Sequence, residues 1–322
     1  MSMARRRLGT SGLRVSRLGL GTMTWGADND AEDAAAQLVM FTEAGGNLID
    51  TADVYTEGAS EALLGSMIGS HRTALVPRES VVLATKAGVD PTAPQRRNCS
   101  RGHLLSALDT SLRRLGTDYI DLWQLHAWDD TTPLAETLSA VDIALRTGRV
   151  RYVGVSNFSA WQLATVAIRQ QLGGESPFIS AQAEYSLLER SPELELLPAA
   201  THTGLGLLPW SPLGRGVLTG KYRDGAPAGS RGASPQLKPF VARFLNERCA
   251  GIVEAVATAA EGLWVLPAVA ALAWVRDRPG VVAPIVGARN AAQLKATLSS
   301  EELTLPEEIA AALADVSATE AT

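Results

Sequence analysis

Four side chains suited to moving a proton onto a carbonyl oxygen stand at Asp50, Tyr55, Lys86 and His126. A phenol has an ordinary pKa of about 10, too high for an efficient acid–base group near neutrality unaided. A neighbouring cation stabilises the phenolate and lowers that value. Lys86 is the candidate cation. It is one of only four lysines, at 86, 221, 238 and 295, among 29 basic residues that are otherwise arginine. It follows the apolar run Val81–Thr85, so its ammonium is expected to be partly desolvated and to need a counter-ion, which Asp50 can supply. His126 can donate or accept a hydrogen bond at a substrate oxygen. Together the four fit a carbonyl that receives hydride on carbon and a proton on oxygen. Taken singly, each has a plainer use: Tyr55 as a loop aromatic, Asp50 in a turn, Lys86 as a solvated cation, His126 as a structural imidazole. Their joint placement after successive apolar runs favours the chemical reading.

Those runs are Arg17–Gly21, Asn47–Ile49, Val81–Thr85, Ile120–Leu125, Tyr152–Val155, Ile179–Ala183, Gly204–Pro209 and Val281–Val286. Between them lie amphipathic stretches that predict helices: Asp30–Ala44, Ser60–Ser70, Arg101–Leu115, Pro133–Thr147, Ala160–Gln170, Pro192–Thr201 and Glu247–Arg278, the last broken near Leu263–Pro267. Asn290–Leu298 follows the eighth run, and Pro306–Ala314 adds a C-terminal helix. Strict strand–helix alternation implies parallel strands with right-handed crossovers. Eight units in 322 residues favour a closed (β/α)8 TIM barrel, read as one α/β domain spanning 1–322. Residues 6–15 predict an N-terminal β-hairpin laid across the bottom of the barrel. Arg223–Pro239, rich in Gly, Pro, Ala and Ser, predicts a mobile loop over the top.

In such a barrel the active site lies at the C-terminal strand ends. Besides the four residues above, those ends carry Ser156, Asn157, Gln182 and Trp210.

The bulk composition narrows the class. With 46% hydrophobic and 20% charged residues the chain is globular, not disordered. The net charge of −5 with no basic stripe speaks against nucleic acid, and no run of 18 apolar residues predicts a membrane span. Cys99 and Cys249 read as thiols in a reducing compartment, so the chain reads as cytoplasmic, and a monomer is the default. Gly19–Thr24 begins like a dinucleotide fingerprint but lacks the third glycine and the acidic partner. Four histidines, at 71, 103, 126 and 202, form no metal-ligand pair, so no metal is expected. Gly154–Phe158 fails the serine-hydrolase pattern at its last position. A Schiff-base aldolase using Lys86 is the more serious rival.

Eight segments in order carry a family resemblance: LGLGTMTWG (18–26), GGNLIDTADVY (45–55), LATK (83–86), SLRRLGTDYIDLWQLHAWD (111–129), GRVRYVGVSNFSAWQL (148–163), AQAEYSLLER (181–190), PWSPLGRGVLTGKY (209–222) and PIVGARNAAQL (284–294). With these the chain resembles the aldo-keto reductase superfamily over nearly its whole length. The resemblance implies a catalytic tetrad of Asp50, Tyr55, Lys86 and His126 with Tyr55 as general acid. It implies NADP(H) as cofactor and a small-molecule carbonyl substrate. Ser156, Asn157 and Gln182 match the positions that hold the nicotinamide amide, and Trp210 matches the aromatic stacked on its ring. Ser211, Pro212, Leu213, Gly214 and Gly216 match the loop along the pyrophosphate. Gly287, Arg289 and Gln293 match the adenosine end, with Arg289 suited to a 2′-phosphate. Thr22, Met23, Asp50 and Lys221 complete the implied cofactor contacts. Trp25 and Trp128 are placed at the substrate pocket, whereas Trp161 and Trp274, on helices, are expected to pack. Thr297 stands where the family often has Asn. Some barrels of this kind act as cofactor-sensing subunits of membrane channels, which is the alternative to an enzyme.

Overall fold

The apolar runs pair side by side as parallel strands, and the amphipathic stretches cover them. The computed structural model describes residues 3–69, 74–174, 176–223, 225–228, 230, 232–233 and 238–318. A two-stranded antiparallel hairpin, β1 (Arg5–Arg7) and β2 (Arg14–Ser16), precedes the barrel. There follow β3 (Gly19–Gly21), α1 (Ala31–Glu43), β4 (Leu48–Asp50), α2 (Ala59–Met67), β5 (Val82–Ala87), α3 (Arg101–Leu115), β6 (Ile120–Leu125) and α4 (Leu134–Arg146). The second half contains β7 (Val150–Ser156), α5 (Ala160–Gly173), β8 (Phe178–Glu184), α6 (Leu196–Thr203), β9 (Gly206–Trp210), α7 (Lys238–Ala242), α8 (Glu247–Gly262), α9 (Pro267–Arg276), β10 (Ile285–Val286), α10 (Ala291–Leu298) and α11 (Glu307–Val316).

The sheet runs β10-β3-β4-β5-β6-β7-β8-β9, every pair parallel. It closes through the residues before β10: Leu207 N donates to Gly280 O at 3.0 Å, and Val282 N to Leu207 O at 2.9 Å. The result is the (β/α)8 barrel expected. The eighth strand is shorter than its apolar run suggests, two residues instead of Val281–Val286. Pro284 has no N–H to donate, so the ladder is interrupted there. The stretch Pro192–Thr201 is likewise not one helix but a 3-10 turn, Ser191–Glu193, then α6. Starting α6 at Leu196 puts Pro198 in the first turn, where no intrahelical N–H is needed. The break between α8 and α9 is where it was expected, with Trp264 left-handed (φ 56°) and Pro267 opening the next helix. Among the described residues no single helix is long and apolar enough to cross a membrane.

Two apolar clusters hold the molecule together. The larger lies between strands and helices. The smaller fills the bottom of the barrel: Leu48, Val82, Ala84, Leu122 and Leu208 point inward and meet Leu8 and Val15 of the hairpin. Gly9 makes that seal fit. It is left-handed (φ +56°), and a Cβ there would lie 2.5 Å from the carbonyl oxygens of Gly204 and Ile179. Thr10 N donates to Gly204 O at 2.9 Å and ties the turn to the barrel floor. Of the loop expected to be mobile, residues 224, 229, 231 and 234–237 lie outside the described residues, as does His71, and α7 occupies its end.

Candidate active site

Above the apolar floor the same strands turn polar. Along β5, Val82 and Ala84 face the floor and Lys86, two residues on, lies in the next layer. Lys86 is in register with Gln124 on β6, and Ser156 on β7 with Gln182 on β8. Asp50 ends β4. All five are buried.

Asp50 is the hub. Its Oδ2 accepts from Lys86 Nζ at 2.6 Å, and its Oδ1 accepts from Gln124 Nε2 at 3.1 Å and Gln182 Nε2 at 2.8 Å. Lys86 Nζ also donates to Thr51 O at 2.9 Å and to the Tyr55 hydroxyl at 3.3 Å, so all three of its hydrogens have acceptors. Burial opposes the ammonium charge, yet Asp50 and Tyr55 together hold its pKa above the ordinary lysine value. A protonated amine with three acceptors is the reverse of what an imine-forming lysine needs.

Tyr55 sits at the turn into α2, with Thr56 and Glu57 both left-handed (φ 49° and 55°) behind it. Burial raises its phenol above the ordinary value, Lys86 opposes that, and Asp50 and Asp53 add to it. Lys86 thus acts in the direction expected, but the net shift is upward, because desolvation of the phenolate outweighs one cation. His126 meets the Tyr55 ring edge-on at 5.9 Å between centroids. Burial and the Lys86 charge push its pKa down to about 3, so its imidazole is neutral. Its Nδ1 is buried with no partner among the described residues.

A second group adjoins the first. Asn157 is left-handed (φ 56°), its N–H bound to Gln182 O at 2.9 Å. Its side-chain amide donates to His126 O at 3.0 Å and Ser156 Oγ at 3.1 Å, and its Oδ1 accepts from Trp210 Nε1 at 3.0 Å. Ser156, Asn157, Gln182 and Trp210 are therefore one bonded set. After Trp210 the backbone is left-handed at Ser211, Gly214, Arg215 and Gly216. Lys221 Nζ lies beside Gly216, 3.0 Å from where a Cβ would be. Pro212 is buried and Leu213 half-buried. On the far side, Arg289 N donates to Gln293 Oε1 at 3.1 Å, and Asn29 holds the carbonyls of Ala288 and Arg289. Gly287 is exposed and Arg289 half-buried.

The remaining expected residues differ in exposure. Thr22 is fully buried, its hydroxyl shared with Ser60 Oγ at 2.8 Å and Asp50 O, so it braces strand ends; Met23 beside it is 40% exposed. Trp25 is fully buried in the large core. Trp128 is half-buried. Trp274 packs in the core as expected, but Trp161 is 61% exposed. Thr297 is buried and donates to Gln293 O at 2.9 Å, within its own helix.

Three functional-looking groups escaped the sequence. Gln124 belongs to the Asp50 hub; its place two residues before His126, which follows the same strand, was the available signal. Glu61, fully buried, binds Thr85 Oγ1 at 2.7 Å and Arg114 Nη1 at 3.3 Å. Beside it the Asp53 carboxyl is pushed up to about 7 by burial and by Glu61. Arg215, in the loop after β9, forms a two-pronged ion pair with Glu184 (2.8 and 2.7 Å) and donates to Phe240 O on α7.

A family model described as the aldo/keto reductase family matches residues 17–318. The chain is 37% identical over 326 residues to a Bacillus subtilis protein named as an uncharacterized oxidoreductase (YrpG), covering 96% of this chain and 94% of that one. It is 38% identical over 298 residues to a probable voltage-gated potassium channel subunit beta of Oryza sativa, covering 91% and 89%. It is 32% identical over 337 residues to the versiconal hemiacetal acetate reductase of Aspergillus parasiticus, covering 94% of each. Barrel, bonded cluster and matched span agree, and the chain belongs to the aldo/keto reductase family.

Proposed function

We propose that this protein is an oxidoreductase that reduces an aldehyde or ketone to an alcohol with NADPH, Tyr55 being the general acid. The observation that carries the reading is the linked chain Asp50–Lys86–Tyr55 beside a neutral His126, with Tyr55 and His126 only half-buried at the strand ends. NADPH, when bound, supplies the hydride. The bonded set is suited to hold its nicotinamide: Trp210 offers a flat face, and Ser156, Asn157 and Gln182 offer amide and hydroxyl groups. Left-handed backbone at Ser211, Gly214, Arg215 and Gly216 bends this loop tightly after β9, and the reading lays the pyrophosphate along it. Met23, Lys221, Gly287, Arg289 and Gln293 belong to the same reading, and the Arg289 guanidinium suits a 2′-phosphate. Thr297 donates its hydroxyl hydrogen to Gln293 O within its own helix, so that hydrogen is not directed to the adenine.

In this reading the carbonyl oxygen faces Tyr55 and His126. Negative charge develops on that oxygen as carbon is reduced, and the two donors stabilise it. Tyr55 gives its proton to the oxygen, and Lys86 stabilises the phenolate left behind. Asp50 keeps Lys86 charged and aimed. The elevated phenol pKa suits the direction of reduction, in which Tyr55 must hold a proton until it is needed.

The name of the Aspergillus relative supports the reductase reading. The second reading is a cofactor-sensing subunit: the rice relative is named as a probable voltage-gated potassium channel subunit beta, and absence of turnover with retained NADPH binding is the result that would favour it. The protein is proposed to act as a monomer in the cytoplasm. The test is NADPH consumption with an activated aromatic aldehyde, wild type beside Tyr55→Phe. Removing the acid should lower kcat by about 10²- to 10⁴-fold while NADPH still binds. Equal rates in the two proteins would remove Tyr55 from the mechanism.

A further inference from the structure

On the outer flank of the barrel, between α6 and the turn that follows α9, lies a cavity of about 490 Å³. None of its lining residues belongs to the group around Asp50 or to the set proposed for NADPH. Tyr185, itself buried, lines it, and Leu197 and Pro279 stand on its two sides. The two sides meet at Gly280, which is left-handed (φ +80°); a Cβ there would lie 2.9 Å from Leu197 Cδ2.

The charges around this cavity do not cancel. Glu193 accepts from Arg190 through both oxygens, Oε1 from Nε at 2.7 Å and Oε2 from Nη2 at 2.6 Å, and Oε1 accepts from the Tyr185 hydroxyl as well. That carboxylate is thus matched by one forked guanidinium. Arg278 brings a second. Its Nη2 is 3.9 Å from Glu193 Oε1, too far for a hydrogen bond, and its Nε is buried with no partner among the described residues. The Trp274 ring lies beneath it, 4.8 Å from guanidinium carbon to ring centroid, and steadies its plane. Two guanidiniums against one carboxylate leave one positive charge in excess. A monoanion offsets it, whereas a dianion would overshoot it beside Glu193. A flat guanidinium matches the planar fork of a carboxylate. Thr201 and His202 add a hydroxyl and an imidazole to the lining, and Leu197, Pro198 and Pro279 add apolar surface for a short hydrocarbon body.

We propose that this cavity binds a small monocarboxylate, its carboxylate on Arg278 and its hydrocarbon body against Leu197, Pro198 and Pro279. The site is independent of the reductase reading. The test is an NMR titration of the full chain with isovalerate, a branched monocarboxylate, and with isovaleramide, its uncharged counterpart. Wild type should bind isovalerate about tenfold more tightly than isovaleramide, and Arg278→Gln should weaken isovalerate binding by about tenfold or more. Leu197→Trp fills the cavity and leaves the guanidinium in place; it should weaken binding at least as much, which separates this cavity from any other cationic spot. Tyr55→Phe should leave the Kd as in wild type, which separates it from the site at the strand ends. Sulfate, a dianion, should not displace isovalerate at equal concentration. No saturable binding to wild type overturns the proposal, and so does an unchanged Kd in either Arg278→Gln or Leu197→Trp. Loss of binding in Tyr55→Phe overturns it too, and displacement by sulfate overturns the choice of a monocarboxylate.

Discussion

The lower and upper halves of the barrel interior are built by the same strands and behave oppositely. Along β6, Leu122 faces the floor and Gln124 joins the Asp50 hub, and His126, just past the strand's end, reaches the mouth. Below, inward side chains are apolar and sealed by Leu8 and Val15 of the hairpin. Above, they are polar, and the hub is joined by hydrogen bonds with defined partners. Apolar contact is non-directional, so the floor tolerates any well-filling shape. A buried ion pair is not tolerant, since losing one partner strands the other in a low dielectric. The floor stabilises, and the upper layer gives up tolerance for a positioned charge.

Lys86→Met should break that contrast most sharply. It removes the ammonium and leaves Asp50 buried with two amides, which should lower stability by about 3–5 kcal/mol and turnover by at least about 10²-fold. Adding Asp50→Asn should recover much of the melting temperature but none of the activity. Recovery of both would mean that the pair is only structural. Leu122→Ala, one strand over and one layer down, should lose a similar 2–5 kcal/mol in denaturant unfolding while KM and kcat per folded molecule stay near wild type. A large change in kcat would show that floor and site are not separable.

The smallest effect sharpens the comparison within the upper half. The Asp53 carboxyl is pushed up to about 7 in the folded chain, whereas an aspartate in the unfolded chain loses its proton near pH 4. Between those values the folded state binds more protons, so stability falls as pH rises from about 4 to about 7. Asp53→Asn lacks that loss. Its advantage over wild type should grow across this window, reach on the order of 2 kcal/mol at pH 8, and then level off. An advantage independent of pH would mean that the Asp53 carboxyl titrates normally. Asp53 also adds to the upward shift of Tyr55, so the variant should draw the pH profile of alcohol oxidation to lower pH.

Much of this was legible before any coordinates. The end of each apolar run located Asp50, Lys86, His126, Ser156 and Gln182, because strand ends in a parallel barrel share one face. The tryptophans were not legible. Trp25, expected at the pocket, is buried, and Trp161, expected to pack, is exposed; an indole suits both settings, and for Trp161 on α5 the phase of the helix decides between them. The eighth strand was overestimated because Pro284 is apolar and reads as strand by hydropathy while breaking the ladder.

What the sequence determined by itself is local. Runs of apolar residues with their Gly, Pro and Asn punctuation set the order of strands and helices, and motif spacing set which side chains end the strands. The partners of those side chains are not local. Asp50 accepts from Gln124 and Gln182, 74 and 132 residues along the chain, and neither contact is encoded near Asp50. Only closing the barrel brings them together, and only the burial that closing creates carries Tyr55 upward against the pull of Lys86 and strips His126 of its charge. Charge states and partners follow from desolvation and distance, which exist once distant strands share one interior.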